Sequence, residues 1–268
     1  MANILETIAS TKRQEVEALK RLIPIEDLRQ RAFDVTRQIN SLKYSISSRD
    51  IAIIAEHKRS SPSKGEINPM SEVRGVAEAY AANGAAAMSV LTDTPYFGGS
   101  LEDLAIARSV APELPLLRKE FIVDEYQLLQ ARIYGADAVL LIASMLDGEM
   151  LRYLNDYAHK LGLETLVELH SEEELIKLPQ DADLVGINNR DLTSFKTDIS
   201  NCTKLVDMLP PNMIKVAESG IKAPEDIARL KNAGFDAFLI GEAFMSTQQP
   251  GLTLKHFIDE ARNHSKKP

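Results

Sequence analysis

Short apolar segments alternate with amphipathic helical segments over most of this chain, and no other feature of the sequence restricts the fold as much. Eight segments rich in strand-forming residues occupy residues 51–55, 87–91, 115–117, 138–142, 164–167, 184–187, 213–217 and 237–240. Segments with helical spacing lie between them, for example at 71–84, 124–135, 171–178 and 223–234. Several of these begin at Ser or Asp and end at Gly, as capped helices do. Because such alternation implies parallel strands joined by crossover helices, the sequence predicts an α/β fold.

The number of strand–helix units predicts a single (β/α)8 TIM barrel. Eight units in roughly 200 residues match that fold. The strand count, and the lack of a glycine-rich dinucleotide loop after the first strand, disfavour the alternative of a doubly wound open sheet. Residues 3–45 have a helical pattern that Pro24 interrupts. We therefore expect one barrel domain over residues 1–268, of which residues 1–48 form an N-terminal helical extension. The apolar face of residues 3–45 supports the hypothesis that they close over the barrel mouth.

Charge and cysteine content exclude several classes of protein. The 268 residues carry a net charge of −8, which argues against a nucleic-acid-binding surface but permits a pocket for a small anion. Cys202 is the only cysteine, so no internal disulfide forms, as expected in a reducing cytosol. The N-terminus lacks the apolar core of a signal peptide, and the most apolar run, residues 138–146, is too short to span a bilayer. We expect a cytoplasmic protein without a membrane or nucleic-acid partner.

Polar or ionisable residues follow nearly every apolar segment. In a barrel of parallel strands, the carboxyl ends of the strands and the loops after them form the active site. The residues at these positions are Glu56, Lys58, Asp93, Lys119, Ser144, Glu168, Asn188, Asn189, Arg190, Glu218, Ser219, Gly220, Gly241 and Glu242. A single polar strand end only reflects contact with solvent, but the lysines and glutamates of this set, meeting at one mouth, indicate acid–base chemistry.

The first strand illustrates how the two-residue period of a strand sorts these candidates. Glu56 and Lys58 lie on the same face, so they are neighbours above the core if that face lines the barrel interior. His57 and Arg59 then point toward the helices or loops. We therefore interpret His57 as a structural residue, although histidine is a common acid–base catalyst.

Two further features indicate a phosphate site. The loop "SSPSKG" offers hydroxyl groups and backbone amides, and "ESG" and "IGEAF" place Gly220 and Gly241 after the last two strands. Backbone amides at these two strand ends, together with the N-terminus of a short helix, bind phosphate in many barrels of this kind.

The stretch "IIAEHKRSSPSKG" resembles the signature of the indole-3-glycerol phosphate synthase family of tryptophan biosynthesis. The resemblance extends over essentially the whole chain, including the N-terminal helices, through "LTDTPYFGGSLEDL", "LLRKEFIVDEYQ", "ADAVLLIA", "LVELH", "GINNRDL", "VAESGI" and "LIGEAFM". It implies a carboxy-lyase that converts 1-(2-carboxyphenylamino)-1-deoxyribulose 5-phosphate into indole-3-glycerol phosphate. The aromatic ring attacks the ribulose carbonyl, the carboxylate leaves as carbon dioxide and water is eliminated, without a cofactor or a metal ion.

The resemblance also implies roles for the strand-end residues. Lys119 corresponds to the acid beside the carbonyl oxygen. Lys58 and Glu168 correspond to the acid and base of the dehydration, and Glu56 holds Lys58. Which lysine acts at which step stays open. The other implied roles are hydrogen bonding to the substrate by Asn188 and Ser219, and orientation of the site by Glu218 and Arg190. The residues that would bind the phosphate are Ser61, Gly220, Gly241 and the backbone of Glu242. The residues that would line the slot for the aromatic ring are Phe97, Phe121, Leu140 and Leu192.

Two alternatives remain at the level of the sequence. One is a barrel like phosphoribosylanthranilate isomerase, which lacks the N-terminal helices and relies on a Cys and an Asp; here the one cysteine lies well past a strand end. The other is a barrel that binds a sugar phosphate without catalysis, against which the presence of both lysines counts. In each case we expect a small phosphorylated ligand and no obligate protein partner.

Overall fold

A closed barrel of eight parallel strands forms the centre of the protein in the computed structural model, which describes residues 4–190, 199–211 and 213–265. The strands are β1 Ala52–His57, β2 Ala87–Leu91, β3 Leu116–Lys119, β4 Ala138–Ile142, β5 Glu164–Leu169, β6 Leu184–Asn188, β7 Ile214–Glu218 and β8 Ala237–Ile240. Each strand pairs in parallel with the next, and β8 pairs with β1. The (β/α)8 barrel predicted from the sequence is therefore confirmed.

Helices surround the barrel and cover both of its ends. They are α1 Ile4–Leu22, α2 Ile25–Phe33, α3 Leu42–Ser47, α4 Val73–Ala82, α5 Thr94–Phe97, α6 Leu101–Val110, α7 Glu125–Ile133, α8 Gly148–Lys160, α9 Ile199–Val206, α10 Pro224–Asn232, α11 Glu242–Met245 and α12 Pro250–Ser265. The segment predicted as a helix at 171–178 is a short 3-10 helix, Glu172–Lys177, and a two-stranded hairpin joins Ser60–Ser61 to Gly65–Glu66. Within the described part of the chain, no helix is both long and apolar enough to cross a membrane.

Alternate residues of β1 belong to two different apolar clusters. Ala52 and Ile54 pack with residues of the other strands inside the barrel. Ile53 and Ala55 pack outward against the surrounding helices. Every residue of β1 is buried, which explains why the strands have apolar sequences without the alternation typical of a half-exposed sheet.

The N-terminal extension contains three helices, whereas a single interruption at Pro24 predicted two. Helices α1 and α2 are separated at Pro24, as expected. The third helix, α3, begins after Ser41, whose hydroxyl accepts a hydrogen bond from the Tyr44 amide at 3.0 Å. Residues 34–41 leave the helical path, and there Arg37 and the Asn40 backbone bind the buried carboxylate of Asp137. The additional break therefore depends on a residue that lies far away in the sequence.

The extension reaches both ends of the barrel. Ile4, Leu5 and Ile8 of α1 line the cavity at the carboxyl ends of the strands. Leu42 and Ile46 of α3 instead pack into the barrel cluster from the amino ends of the strands. The hypothesis that residues 3–45 close over the mouth is therefore right only for the start of α1, because α3 covers the opposite end.

A buried ionic cluster attaches α1 to the loops after β2 and β3. The Lys12 ammonium lies 2.6 Å from Asp93, 2.8 Å from Glu15 and 3.4 Å from Glu120. Burial lowers the pKa of Lys12, but the carboxylates outweigh burial and raise this pKa above its ordinary value. Asp93 also caps α5 by accepting the Tyr96 amide at 2.7 Å. The cluster thus fixes the helix that lines the cavity to two loops at its mouth.

Replacing Lys12 should destabilise the protein far more than replacing Lys20 on the same helix. The Lys12→Met change leaves buried carboxylates without a counter-charge and should lower the free energy of unfolding by about 3–5 kcal/mol. Lys20 lies 2.7 Å from Asp124 in a partly exposed pair, so Lys20→Met should lower it by only about 0–1 kcal/mol. Denaturant unfolding of the two variants measures the difference. Equal losses of stability would contradict the anchoring role of Lys12.

Candidate active site

A cavity of about 680 Å³ lies at the carboxyl ends of the barrel strands. This volume lies within the range of sites that bind small molecules. Its walls come from the ends of the strands, from the hairpin after β1 and from the first residues of α1. A ligand there contacts segments that are far apart in the sequence.

The residues given a role in the site all line this one cavity where the structure describes them, whereas the strand-end residues Asp93, Ser144 and Asn189 do not. The residues that line it are Glu56, Lys58, Ser61, Phe97, Lys119, Phe121, Leu140, Glu168, Asn188, Arg190, Glu218, Ser219, Gly220, Gly241 and Glu242. The expected convergence of these residues on one mouth is thus confirmed, while their individual roles stay predictions. Leu192, expected to line the slot for an aromatic ring, lies outside the described residues.

Lys119 occupies the centre of the charged part of the cavity. Its Nζ atom lies 2.5 Å from Oε2 of Glu218 and 3.4 Å from Oε2 of Glu168. Burial lowers the pKa of Lys119, but attraction to these two carboxylates and to Glu56 outweighs burial and raises it above the ordinary value. Lys119 is therefore a charged ammonium group in a mostly buried position, where it can donate a proton or stabilise a developing oxyanion.

The two carboxylates beside Lys119 have opposite pKa shifts. For Glu168, burial raises the pKa, but attraction to Lys119 and a contact with His170 outweigh burial and hold the pKa below its usual range. For Glu218, burial and repulsion by Glu168 dominate, and its pKa is raised. Because the carboxylates interact closely, they release their protons in two steps that belong to the pair. One of them is ionised and able to accept a proton, as acid–base catalysis requires.

His170 supports the ionised state of Glu168 and was not identified from the sequence. Its Nε2 atom lies 3.2 Å from Oε1 of Glu168. Burial lowers the pKa of His170, yet Glu168 and Glu174 outweigh burial and raise it. The sequence did contain a signal for it, because His170 follows Glu168 by two residues and an extended chain places such residues on the same side.

Glu56 and Lys58 form an ion pair at the end of β1, with 2.9 Å between Oε1 and Nζ. Burial raises the pKa of Glu56, but attraction to Lys58 and to Lys119 outweighs burial and lowers it. His57 points away from the cavity, with its Nε2 atom 3.1 Å from the Ser71 hydroxyl. Burial and the charge of Arg59 lower the pKa of His57 to about 4. The prediction that Glu56 and Lys58 face the cavity and that His57 does not is confirmed.

Two glycines, one inside β6 and one directly after β8, make room for the carboxylates. A Cβ atom on Gly186 of β6 would overlap Oε1 of Glu218, and one on Gly241 would lie 2.6 Å from Oε1 of Glu56. Gly241 was predicted as a phosphate ligand, so its contact with Glu56 is an additional constraint. Gly186 was not singled out, although glycine inside a strand is a known sign of close approach by another group.

Cationic and hydroxyl groups gather where the phosphate was predicted to bind. The Lys64 ammonium lies 2.9 Å from Oε1 of Glu242, and the Arg190 guanidinium lies 3.9 Å from Oε2 of the same carboxylate and donates a hydrogen bond to Ser63. Burial raises the pKa of Glu242, but Lys64 and the other nearby cations outweigh it and lower this pKa. Ser63 and Lys64 line the cavity; both belong to the loop "SSPSKG" predicted at the phosphate site, although only Ser61 of that loop was named individually.

The opposite side of the cavity is aromatic and aliphatic. The rings of Phe97 and Phe121 are 5.9 Å apart between centroids, and Tyr96 packs against Phe121 at 6.4 Å. Leu140, Ile4 and Ile8 complete this side. The cavity therefore has an apolar end, a charged centre and a cationic end, which suits an elongated ligand with an aromatic group and an anionic group. Among the side chains that the structure describes, no group of three or more His, Cys, Asp or Glu could hold a metal ion.

Comparison with known proteins agrees with this arrangement. The sequence model of the family described as indole-3-glycerol phosphate synthase matches residues 5–257. A curated protein of that name from Bacteroides thetaiotaomicron is 48% identical over 258 residues, which cover 96% of this chain and 98% of the relative. Relatives of the same name from Burkholderia ambifaria, 45% identical over 94% of this chain and 97% of the relative, and from Salinibacter ruber, 42% identical over 97% of both, match in the same way.

Solved structures that resemble the chain at lower sequence identity show the same fold. The alpha subunit of tryptophan synthase from Legionella pneumophila has a TM-score of 0.62 at 15% identity, covering 84% of this chain and 99% of that structure. The 3-hexulose-6-phosphate synthase of Salmonella typhimurium has a TM-score of 0.64 at 12% identity, covering 80% of this chain and 100% of that structure. At these identities, the likeness supports the barrel and no particular chemistry.

A methyl group at Gly186 should damage the charged centre of the cavity without unfolding the barrel. The Gly186→Ala change forces the Glu218 carboxylate away from its contact with Lys119. We expect a loss of about 1–3 kcal/mol of stability and a disproportionate loss of turnover. Gly75→Ala is the control, because a Cβ there meets nothing within 4 Å. If Gly186→Ala loses stability as expected but keeps a turnover close to that of the unmodified protein, the position of Glu218 does not matter for turnover.

Proposed function

The chain belongs to the indole-3-glycerol phosphate synthase family, and we propose that its cavity closes the indole ring by acid–base catalysis through Lys119, Lys58 and Glu168. It is a carboxy-lyase of tryptophan biosynthesis that acts on a small phosphorylated substrate. The observation that carries the proposed mechanism is the Lys119 ammonium between two buried carboxylates in a cavity with one aromatic and one cationic end.

The two ends of the cavity determine how the substrate lies. The carboxyphenyl ring packs against Phe97 and Phe121, because that wall is apolar and aromatic. The phosphate lies between Gly220, Gly241 and the Ser61 hydroxyl, where backbone amides and nearby cations favour an anion. This orientation leaves the ketone of the substrate near the middle of the cavity, beside Lys119.

Ring closure needs an acid at the carbonyl oxygen. A ring carbon of the substrate forms a bond to the ketone carbon, and the carbonyl electron pair moves to oxygen. The Lys119 ammonium donates a proton to that oxygen, and its raised pKa means that it is charged before the substrate binds. The ring carboxylate then leaves as carbon dioxide, and its bonding electrons return to the ring. Asn188 and Ser219 hydrogen-bond the substrate during this step, while Glu218 and Arg190 keep the surrounding groups in place.

Dehydration follows, with Lys58 as acid and Glu168 as base. Lys58 donates a proton to the hydroxyl that leaves as water, and Glu56, 2.9 Å away, orients its ammonium group. Glu168 accepts a proton from the newly formed five-membered ring, for which its lowered pKa keeps it ionised. The family match favours this reaction over the isomerase alternative. We still predict that Leu192 contacts the aromatic ring of the substrate and that the protein is cytoplasmic. The absence of a cofactor and of an obligate protein partner also stays a prediction.

Replacing Lys119 should abolish most of the turnover while leaving substrate binding intact. Lys119→Met removes the acid but retains most of the length of the side chain, so we expect kcat to fall by about 10²-fold or more with a small change in KM. Lys43→Met is the control, because Lys43 lies on α3 at the opposite end of the barrel. Steady-state kinetics that followed product fluorescence would measure both. If the turnover of Lys119→Met is close to that of the unmodified protein, Lys119 is not the acid.

A substitution at Gly220 should weaken binding of the phosphate group. Gly220 has a φ of 80°, so Gly220→Ala strains the turn that presents its amide and should raise KM about 10-fold. Gly162→Ala is a matched control, because Gly162 has a φ of 74° and a Cβ there meets nothing within 4 Å. Inorganic phosphate should raise the thermal midpoint of the Gly162→Ala variant more than that of Gly220→Ala. If phosphate protects both variants equally, the assignment of the phosphate site is wrong.

A further inference from the structure

We propose that Asn189 is a positioning residue that holds Ser219 in a left-handed backbone conformation and so directs the Gly220 amide toward the substrate phosphate. This inference rests on the proposed function, because it takes the phosphate to bind at Gly220. The sequence placed Asn189 at the end of a strand without assigning a role to it. Its environment in the structure supplies that role.

Ser219 has an unusual backbone conformation for its residue type. Within residues 4–190, 199–211 and 213–265, it is the only residue other than glycine with a positive φ, at 66°. A side chain with a Cβ disfavours this region by about 1–2 kcal/mol. Such a conformation persists where the surrounding structure fixes it, and it is concentrated at functional sites. Some contact must therefore hold Ser219 in place.

The side chain of Asn189 makes that contact. Its Nδ2 atom donates hydrogen bonds to the carbonyl oxygen of Glu218 at 3.0 Å and to that of Ser219 at 3.1 Å. The backbone amide of Asn189 donates a third, to the Glu218 carbonyl, at 2.9 Å. The two carbonyl groups belong to the peptide planes on either side of the Ser219 Cα atom. Because one nitrogen atom binds both, it fixes the φ and the ψ of Ser219 together.

The chemistry of the amide permits only one orientation of this side chain. If Asn189 were flipped, its Oδ1 atom would face two carbonyl oxygens, and acceptor would oppose acceptor. The residue is also buried, with an exposed fraction of 4%, so water does not readily replace its bonds. An aspartate of the same shape would lack the donor hydrogens. The contact therefore requires both the shape and the donor hydrogens of an asparagine side chain at position 189.

The contact determines the direction of the next amide group. In a trans peptide, the carbonyl oxygen and the amide hydrogen point in opposite directions, and the structure has no cis peptide bond among its described residues. Since the Ser219 carbonyl points at Asn189, the Gly220 amide points away from Asn189. Gly220 lies on the cavity wall, so this amide is available to an anion there. Asn189 thus acts on the substrate through Ser219 and Gly220, without contacting it.

A comparison of two backgrounds tests this inference. Ser219→Ala and Ser219→Gly both remove the hydroxyl, but glycine adopts a positive φ without strain and alanine does not. We expect Asn189→Ala to raise KM about 10-fold in the Ser219→Ala background and by less than about 3-fold in the Ser219→Gly background, with kcat changing less than KM. An equal increase in the two backgrounds would overturn the inference, because the role of Asn189 would then not depend on the backbone conformation of residue 219.

Asn155→Ala is a matched control for the loss of a buried asparagine. Asn155 is fully buried and bonds Thr165 and Asp181 away from the cavity, so its replacement should lower the thermal midpoint without changing KM. The phosphate-induced shift of the thermal midpoint gives a second readout in the same variants and should show the same dependence on background. A protein that binds phosphate in this way but does not turn over the substrate would count against the proposed function alone. An equal loss of the phosphate-induced shift in the two backgrounds would likewise overturn the role of Asn189.

Discussion

The contact of the Lys119 ammonium with the carboxylates of Glu168 and Glu218 is the interaction on which the rest of the site depends. These groups come from β3, β5 and β7, and only a closed barrel brings those strand ends to one point. Without the carboxylates, burial would favour the neutral amine; without the amine, two adjacent buried carboxylates would retain protons. The fold thus determines the charge of each group, and the charges determine which groups give and accept protons in the proposed reaction. Gly186 leaves the space in which Glu218 reaches Lys119.

The barrel and the convergence of the site residues could be predicted from the sequence because both follow from short-range periodicity. The alternation of strands and helices defines the barrel, and the two-residue period of β1 places Glu56 and Lys58 inside it and His57 outside. The bounds and types of individual strands and helices were predicted less accurately. The strand predicted at 51–55 continues to His57, which carries Glu56 into the interior. The helix predicted at 171–178 winds as a 3-10 helix, a choice that its local sequence does not specify.

Features that depend on contacts between distant residues could not be predicted. The separate helix α3 follows from a linker bound to Asp137, about a hundred residues away. The attachment of α1 depends on Lys12 meeting Asp93 and Glu120 in a buried cluster. Nothing in the local sequence distinguishes Lys12 from Lys20, the partly exposed lysine of the same helix. The opposite pKa shifts of Glu168 and Glu218 likewise depend on distances of a few ångströms, which spacing along a chain does not encode.

The most direct test of the central claim is a crystal structure with the unreactive alcohol that results from reduction of the substrate's ketone. The account predicts that the hydroxyl oxygen, which replaces the carbonyl oxygen, lies about 2.7–3.2 Å from Nζ of Lys119, with the phosphate at the amide of Gly220 and the ring against Phe121. A complex with the phosphate in place but with that oxygen more than about 5 Å from Lys119, beyond any hydrogen bond, would contradict the claim that Lys119 protonates it.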